Sequence, residues 1–495
     1  MTNKHKIVVV GGGFAGVIAS TYVKRYWGDN VEVVLVYDHR NPGIGVGESL
    51  TPKIYDYLDY VGVSTEELIK HCNATIKLGL QFKNWLNDGK YFYHGFFESD
   101  LMQNPMNYGV AYDMATSSYT DYNYNVMFGK NYYEDCKVPT KRSKSQSLHI
   151  DATITSQYIL NKFRDDLTII DDVVLDVVKK GSSEYIDYVV LEKNGNLSAD
   201  FYIDASGFAS VLFKHLGTNW VDRTDWLPID SCIPNPIMYE FEKQPPYTTS
   251  EASSDGWILQ VPLSNRWGAG YLYSSQFTSD DEAFSKFSTF VKDRYKSDLV
   301  NTSKVLNFKS GFWGKQWVGN CISIGLCSGF AEPLEATNIH HTVYQIGHFL
   351  QVYNFNVYDY DIVKYNNHMS KFYDNIYLYL RYCYTTGRTD SEFWKYITNS
   401  TPDEVKWLDE KSKTDILNQH SFMDNGNGTT FGHVNFTTIA WGLQKFDPAT
   451  YYQALAKRNA LDIAKQESFE INRIKLQNEK NTIDHKVFIN MMKNI

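Results

Sequence analysis

Little in this chain ties it to metals, disulfides, nucleic acid or lipid. Its six cysteines, Cys72, Cys136, Cys232, Cys321, Cys327 and Cys383, form no CxxC pair and show no metal-ligand spacing, so no metal centre is expected. The opening residues lack a basic stretch followed by an apolar core and a cleavage site, and a reducing cytoplasm is the expected compartment. Positive charge is in deficit. With 48 Lys and Arg against 57 Asp and Glu the net charge is -9, which opposes general binding to nucleic-acid phosphates or anionic membrane surfaces. No apolar run reaches the roughly 20 residues that span a bilayer, and the run from Ile7 to Ala19 is broken by four glycines. Proline thins out as well: from residue 343 onward only Pro402 and Pro448 remain, and that part reads as mostly helical. Aromatic side chains are abundant by contrast. The 37 Tyr, 28 Phe and 11 Trp make up 15% of the chain, which suits a pocket that holds a flat ligand.

Ile7-Val8-Val9-Val10 is a short β-branched run ending at glycines, the pattern of a parallel strand buried on both faces. Phe14 to Tyr26 has helix-compatible spacing, and Val31 to Val36 supplies a second strand, so a βαβ unit opens the chain. Residues 91–139 turn to Tyr, Asn, Asp and Met with little periodicity, as in a long insertion that forms a lid or a wall. Strand-like text returns from Leu167 to Leu191 and leads through the turn Lys193-Asn194-Gly195-Asn196 to Phe201-Tyr202-Ile203-Asp204-Ala205-Ser206-Gly207. Apolar residues recur at helical spacing near Ile362 to Tyr379 and Tyr451 to Ile463, and Glu467 to Ile495 reads as a surface helix.

Gly11-Gly12-Gly13-Phe14-Ala15-Gly16 sits directly between the first strand and its helix. Glycines at this spacing permit a tight turn, close approach of a diphosphate to the backbone and packing of helix on strand. The diphosphate would rest on the helix N-terminus, against Gly11, Gly13, Phe14, Ala15 and Gly16. Asp38, 22 residues beyond Gly16, supplies the acid for ribose hydroxyls. The fingerprint opens the chain and Asp204-Ala205-Ser206-Gly207 recurs far downstream, an arrangement that favours FAD over NAD by analogy of pattern.

Five further motifs follow in order. Asn41-Pro42-Gly43-Ile44-Gly45-Val46-Gly47-Glu48-Ser49-Leu50-Thr51 trails the second strand, and Lys77-Leu78-Gly79 precedes Phe82 and Trp85. Gly256-Trp257-Ile258-Leu259-Gln260-Val261-Pro262 precedes Gly270-Tyr271-Leu272-Tyr273, and residues 320–326 lead to Glu332-Pro333-Leu334-Glu335-Ala336-Thr337. Gly387-Arg388-Thr389-Asp390 comes last, with Phe393-Trp394. Together these resemble the flavin-dependent tryptophan halogenases over residues 5–445.

The resemblance implies an α/β fold: an FAD-binding Rossmann-like domain of the flavin monooxygenase type with a mostly helical substrate-covering region. It places a halogenase module over residues 1–345, with wall segments at about 90–140 and 220–255, and a helical cover over residues 346–495. It implies FADH2, O2 and a halide ion, a small electron-rich aromatic substrate of indole or phenol type, and a separate flavin reductase, since no second nicotinamide fingerprint is present. A homodimer is the family expectation. Hypohalous acid would reach Lys77, which either donates a hydrogen bond to it or forms a haloamine. Glu335 would sit opposite as base and electrostatic partner for the cationic ring intermediate. Val46, Glu48, Leu326 and Ile339 align with flavin contacts, and Thr337 and Asn338 with the backbone amides that hold the halide. His94 and Phe96, in Tyr93-His94-Gly95-Phe96, align with substrate contacts, together with Trp257 and Phe436. The chain departs from the family pattern at Leu259, where the second tryptophan of GWxWxIP is usual, at Asn338, where glycine is usual, and at Gly95 in place of proline. No equivalent of the SHYW-like stretch of tryptophan-specific members is visible. The alternative on the same fold is a flavin-dependent monooxygenase, a hydroxylase or epoxidase, which needs no such lysine and glutamate.

Overall fold

A computed structural model of the chain describes residues 4–40, 47–96, 108–116, 129–238, 240–299, 304–418, 430–445 and 447–494. Two compact units are each assembled from three stretches: Met1–Ala74, Ile150–Arg223 and Phe308–Tyr373 in the first, and Thr75–His149, Thr224–Asn307 and Asp374–Ile495 in the second. Residue 345, the expected end of the halogenase module, lies inside the helix Thr337–Val352.

The first unit is built on a six-stranded sheet with His5–Val10 at its centre. That strand pairs in parallel with Val31–Tyr37 on one side and Phe201–Asp204 on the other, with Val9 opposite both Leu35 and Ile203. Thr168–Asp171 extends the sheet in parallel beyond the second strand, and Cys321–Ser323 extends it beyond Phe201–Asp204. Burial on both faces explains why the first strand carries no polar alternation: Ile7, Val8 and Val9 are fully buried. The parallel crossover is made by the helix Phe14–Trp27. Val174–Lys179, Ile186–Leu191 and Gly195–Ser198 form an antiparallel three-stranded sheet.

The second unit contains a seven-stranded sheet in the order Leu306–Asn307, Ser231–Ile237, Trp267–Tyr273, Gly256–Pro262, Tyr247–Ala252, Gly79–Lys83 and Tyr91–Gly95. Just upstream of it, Thr75–Lys77 pairs with Ser147–Ile150 instead. The chain crosses from one pairing to the other at Leu78, whose N–H donates to Pro246 O at 2.7 Å. Beyond residue 383 the chain is mostly helical, with Glu392–Asn399, Asp403–Thr414, His433–Gly442, Pro448–Lys457 and Leu461–Glu479, and it ends in a short strand, Thr482–Asp484, and the helix His485–Asn494. Helix Tyr108–Thr116 packs into this group through Val110, Ala111 and Met114 against Tyr451, Leu455 and Ala464. Among the described residues, no helix is long and apolar enough to cross a membrane.

Candidate active site

The glycine-rich turn of the first unit has the geometry its spacing calls for. Gly11 has φ +121°, and a Cβ there would lie 2.3 Å from Ala205 O, while a Cβ on Gly16 would lie 1.8 Å from Gly11 O. Only glycine satisfies either position. Gly13 is the N-cap and has no atom within 4 Å of where a side chain would begin. The first helical bond runs from Val17 N to Gly13 O, so the amides of Phe14, Ala15 and Gly16 point out of the helix end with no side-chain cap and no acid in the first turn. These features fit a diphosphate.

Asp38 follows the second strand and already accepts from Arg40 N at 3.0 Å and Arg40 Nε at 2.8 Å, which holds its carboxyl below the usual range. A surface cluster of Asp38, His39 and Asp171 brings one ligand atom of each within 4.8 Å of the others, with His39 Nδ1 2.6 Å from Asp171 Oδ2. Glu48 is only partly exposed, and burial pushes its carboxyl up to about 7. Val46 lies outside the described residues.

Asp204 is satisfied from within its own turn. Its carboxylate accepts from Ser206 N, Ser206 Oγ, Leu212 N and Phe213 N at 2.5–3.0 Å. It therefore shapes the turn after the strand, and the four donors account for its full burial.

Leu326 lies in a short turn, Gly325–Cys327, that packs directly on the glycine-rich loop. Gly325 has φ +59°, and a Cβ there would come within 2.9 Å of the Ala15 side chain. Its N–H is held by buried Gln345 Oε1 at 3.0 Å. Downstream, Glu335 is buried and Ala336 adopts the left-handed conformation, φ 59° and ψ 38°, as N-cap of Thr337–Val352. A non-glycine residue held there is strained by roughly 1 kcal/mol or more. The kink starts a 16-residue helix at Thr337 and Asn338 without a side-chain cap, so their amides are open to an anion. Ile339 is the third residue of this helix. The next residue, His340, was not anticipated from sequence. Its Nδ1 lies 2.8 Å from Thr51 Oγ1, tying the helix start to the segment around Glu48, and burial beside Lys53 pushes the imidazole down to about 3.

Lys77 ends the strand Thr75–Lys77 in the second unit and is completely buried, with Nζ 4.9 Å from the Phe96 ring centroid. The register sets Lys77 opposite Ser147 and Thr75 opposite His149, so these four share one face of the ladder. Buried His149 is locked on both sides. Thr75 Oγ1 donates to Pro262 O at 2.6 Å, so at 2.9 Å from His149 Nδ1 it accepts the ring proton, and Thr248 Oγ1 donates to Nε2 at 3.0 Å. Burial, then the nearby charge of Lys77, holds this imidazole well below its ordinary range, so an uncharged ring stands beside the ammonium. Nothing in the sequence singles out His149, a lone histidine in an apolar strand.

His94, Phe436, Tyr379 and Phe431 assemble into one aromatic group. Asn435 Oδ1 accepts from Gly432 N, which turns its amide nitrogen toward His94 Nε2 at 3.1 Å and leaves the ring proton on Nδ1, 3.1 Å from Tyr379 OH. Phe436 meets Tyr379 edge-on at 5.1 Å, and Phe431 stacks on Tyr379 at 3.7 Å. Trp441 instead joins the helical core with Val110 and Met114. Trp257 is fully buried, its indole N–H donating to Tyr384 OH at 2.9 Å. The Gly387–Asp390 motif is a brace: Arg388 grips Asp390 at 2.7 and 2.8 Å, lies 4.2 Å over Trp394, and donates to Asn84 O.

The chain matches the family model described as tryptophan halogenase over residues 6–459. It is 29% identical over 454 residues to the tryptophan 6-halogenase SttH of Streptomyces toxytricini, covering 84% of this chain and 85% of that one. It is 28% identical over 424 residues to the 7-chloro-L-tryptophan 6-halogenase KtzR of Kutzneria sp. (strain 744), covering 79% and 81%. The structure of Tar14, a tryptophan C-6 flavin-dependent halogenase from taromycin biosynthesis, superposes with a TM-score of 0.83 at 25% identity, covering 99% of this chain and 100% of that one. The match along nearly the whole chain, on a fold with a glycine-rich turn between its first strand and helix, makes this protein a member of the tryptophan halogenase family and an enzyme of the flavin-dependent halogenase class.

Proposed function

We propose that the enzyme halogenates an electron-rich aromatic ring of indole or phenol type, with Lys77 receiving hypohalous acid and Glu335 acting as base. Reduced FAD, when bound, would activate O2 as the oxidant of halide, so that hypohalous acid forms together with water and oxidised FAD. The observation that carries the reading is a lysine with no exposed surface, in a strand of the family's lysine motif. Burying an ammonium costs several kcal/mol unless it is compensated, and such groups concentrate at functional sites. In the overall substitution the ring C–H and HOX become C–X and water. Lys77 holds the acid by a hydrogen bond or as a haloamine, and Glu335 accepts the ring proton.

Thr337 and Asn338 would offer the halide their amides at the helix start, and the glycine-rich turn would hold the diphosphate. The aromatic group of His94, Phe431 and Phe436 supports a flat substrate, with Phe96 and Trp257 as further wall residues. The expected partner is a separate flavin reductase, and the expected setting is the cytoplasm. Purified protein given FAD, a reductase, NADH and a panel of indoles and phenols with chloride, bromide or iodide should yield products whose mass tracks the halide. Oxygen insertion independent of halide would move the enzyme to the hydroxylase or epoxidase reading.

A further inference from the structure

The strand that carries Lys77 is three residues long, and a strand this short is held weakly by its own ladder. One edge pairs with Ser147–Ile150. Toward the other, Ile76 N–H donates to His485 Nε2 at 3.0 Å, across 409 positions of sequence. His485 is completely buried, and its Nδ1–H donates to Gln244 O at 3.0 Å, which leaves the Nε2 lone pair for Ile76. Gln244 Nε2 in turn reaches Pro262 O at 3.2 Å, the same carbonyl that accepts from Thr75. Four hydrogen bonds therefore link the lysine strand, the end of the Gly256–Pro262 strand and His485.

The hook that delivers His485 is itself fastened. Thr482–Asp484 pairs antiparallel with Lys137–Pro139, His485 N donates to Cys136 O at 3.0 Å, and Lys486 Nζ donates to Phe241 O at 2.6 Å. The segment Thr482 to Lys486 lies beyond residue 459, where the family match ends.

We propose that His485 is a positioning residue for Lys77, its imidazole fixing the backbone of Ile76 and so the place from which the lysine side chain projects. The proposal rests on the reading that Lys77 is catalytic. A displacement of about 1 Å in a catalytic group can cost on the order of a hundredfold in rate, and Ile76 is the residue directly before it.

The test uses the full-length protein and three variants. His485→Ala removes the acceptor, His485→Phe removes it while filling the volume, and His485→Gln restores an acceptor at the same reach. Hydrogen exchange of the Ile76 amide is read in the flavin-free protein by mass spectrometry of the peptide spanning residues 75–78, and kcat and KM are read from halogenated product. Exchange should accelerate at least tenfold in the Ala and Phe variants, with kcat down tenfold to a hundredfold and KM for the aromatic substrate within twofold. The Gln variant should recover most of both. Wild-type kcat in either acceptor-less variant overturns the proposal, as does a loss that Gln does not restore. Failure of the halogenase reading shows differently, as absence of halogenated product from the wild-type protein.

Discussion

At the scale of single residues, the protein holds charge and its absence side by side. Lys77 shares a ladder face with His149, and two threonines fix that histidine's tautomer while burial keeps it uncharged. Glu48 runs the opposite way, since burial lifts its carboxyl from 4.5 to about 7. A carboxyl raised above its unfolded value stabilises the fold below pH 4.5 and loses that contribution as pH climbs through 7. The difference is worth about 3 kcal/mol at most. Glu48→Gln should therefore raise the melting temperature of the flavin-free protein at pH 8 and leave it nearly unchanged at pH 4, as followed by circular dichroism. Glu335→Gln, nearly isosteric at a buried position, should keep the fold and lose roughly a hundredfold in halogenated product, the usual size of a lost general base. Unaltered product formation would remove Glu335 from the chemistry.

Individual elements show which features could be read from the sequence and which could not. The shape of the glycine-rich turn was legible because everything it needs is local: a β-branched run, glycines at three fixed positions and a helix start. The helical end of the chain was legible from periodicity and scarce proline. The part the Asp204 carboxylate plays in the turn at Leu212 and Phe213 leaves no mark in its motif. The setting of Lys77 was beyond local reading. It depends on a register with residues 147–149, on Thr248, and on His485 over 400 positions away, none of which leaves a mark in spacing.

One helix placement can be tested directly. A Cβ on Gly442 would lie 2.1 Å from the Phe92 ring, in the strand that carries His94. Gly442→Ala should destabilise the protein by about 1–3 kcal/mol, the range for overpacking a core, read as a lowered midpoint in urea.

For the whole molecule, three buried histidines and the partly exposed His340 set the acid limit. His485 is held at about 4 and His340 at about 3, with His149 and His341 also well below 6.5. A histidine kept neutral by the fold stabilises it above pH 6.5, and the contribution drains away as pH falls through the folded value. Urea midpoints should thus drop steadily between pH 6.5 and 4, against the weaker opposite trend from Glu48. A flat profile over that window would show that these rings are not neutral in the fold.

The most direct test of the proposed chemistry compares wild-type protein and Lys77→Ala under single-turnover conditions with reduced FAD, O2, halide and an accepted aromatic substrate, following flavin oxidation and halogenated product together. Equal flavin oxidation and at least a hundredfold loss of product are expected in the variant. Wild-type product yields from Lys77→Ala would contradict that chemistry and leave the buried lysine with a structural role alone.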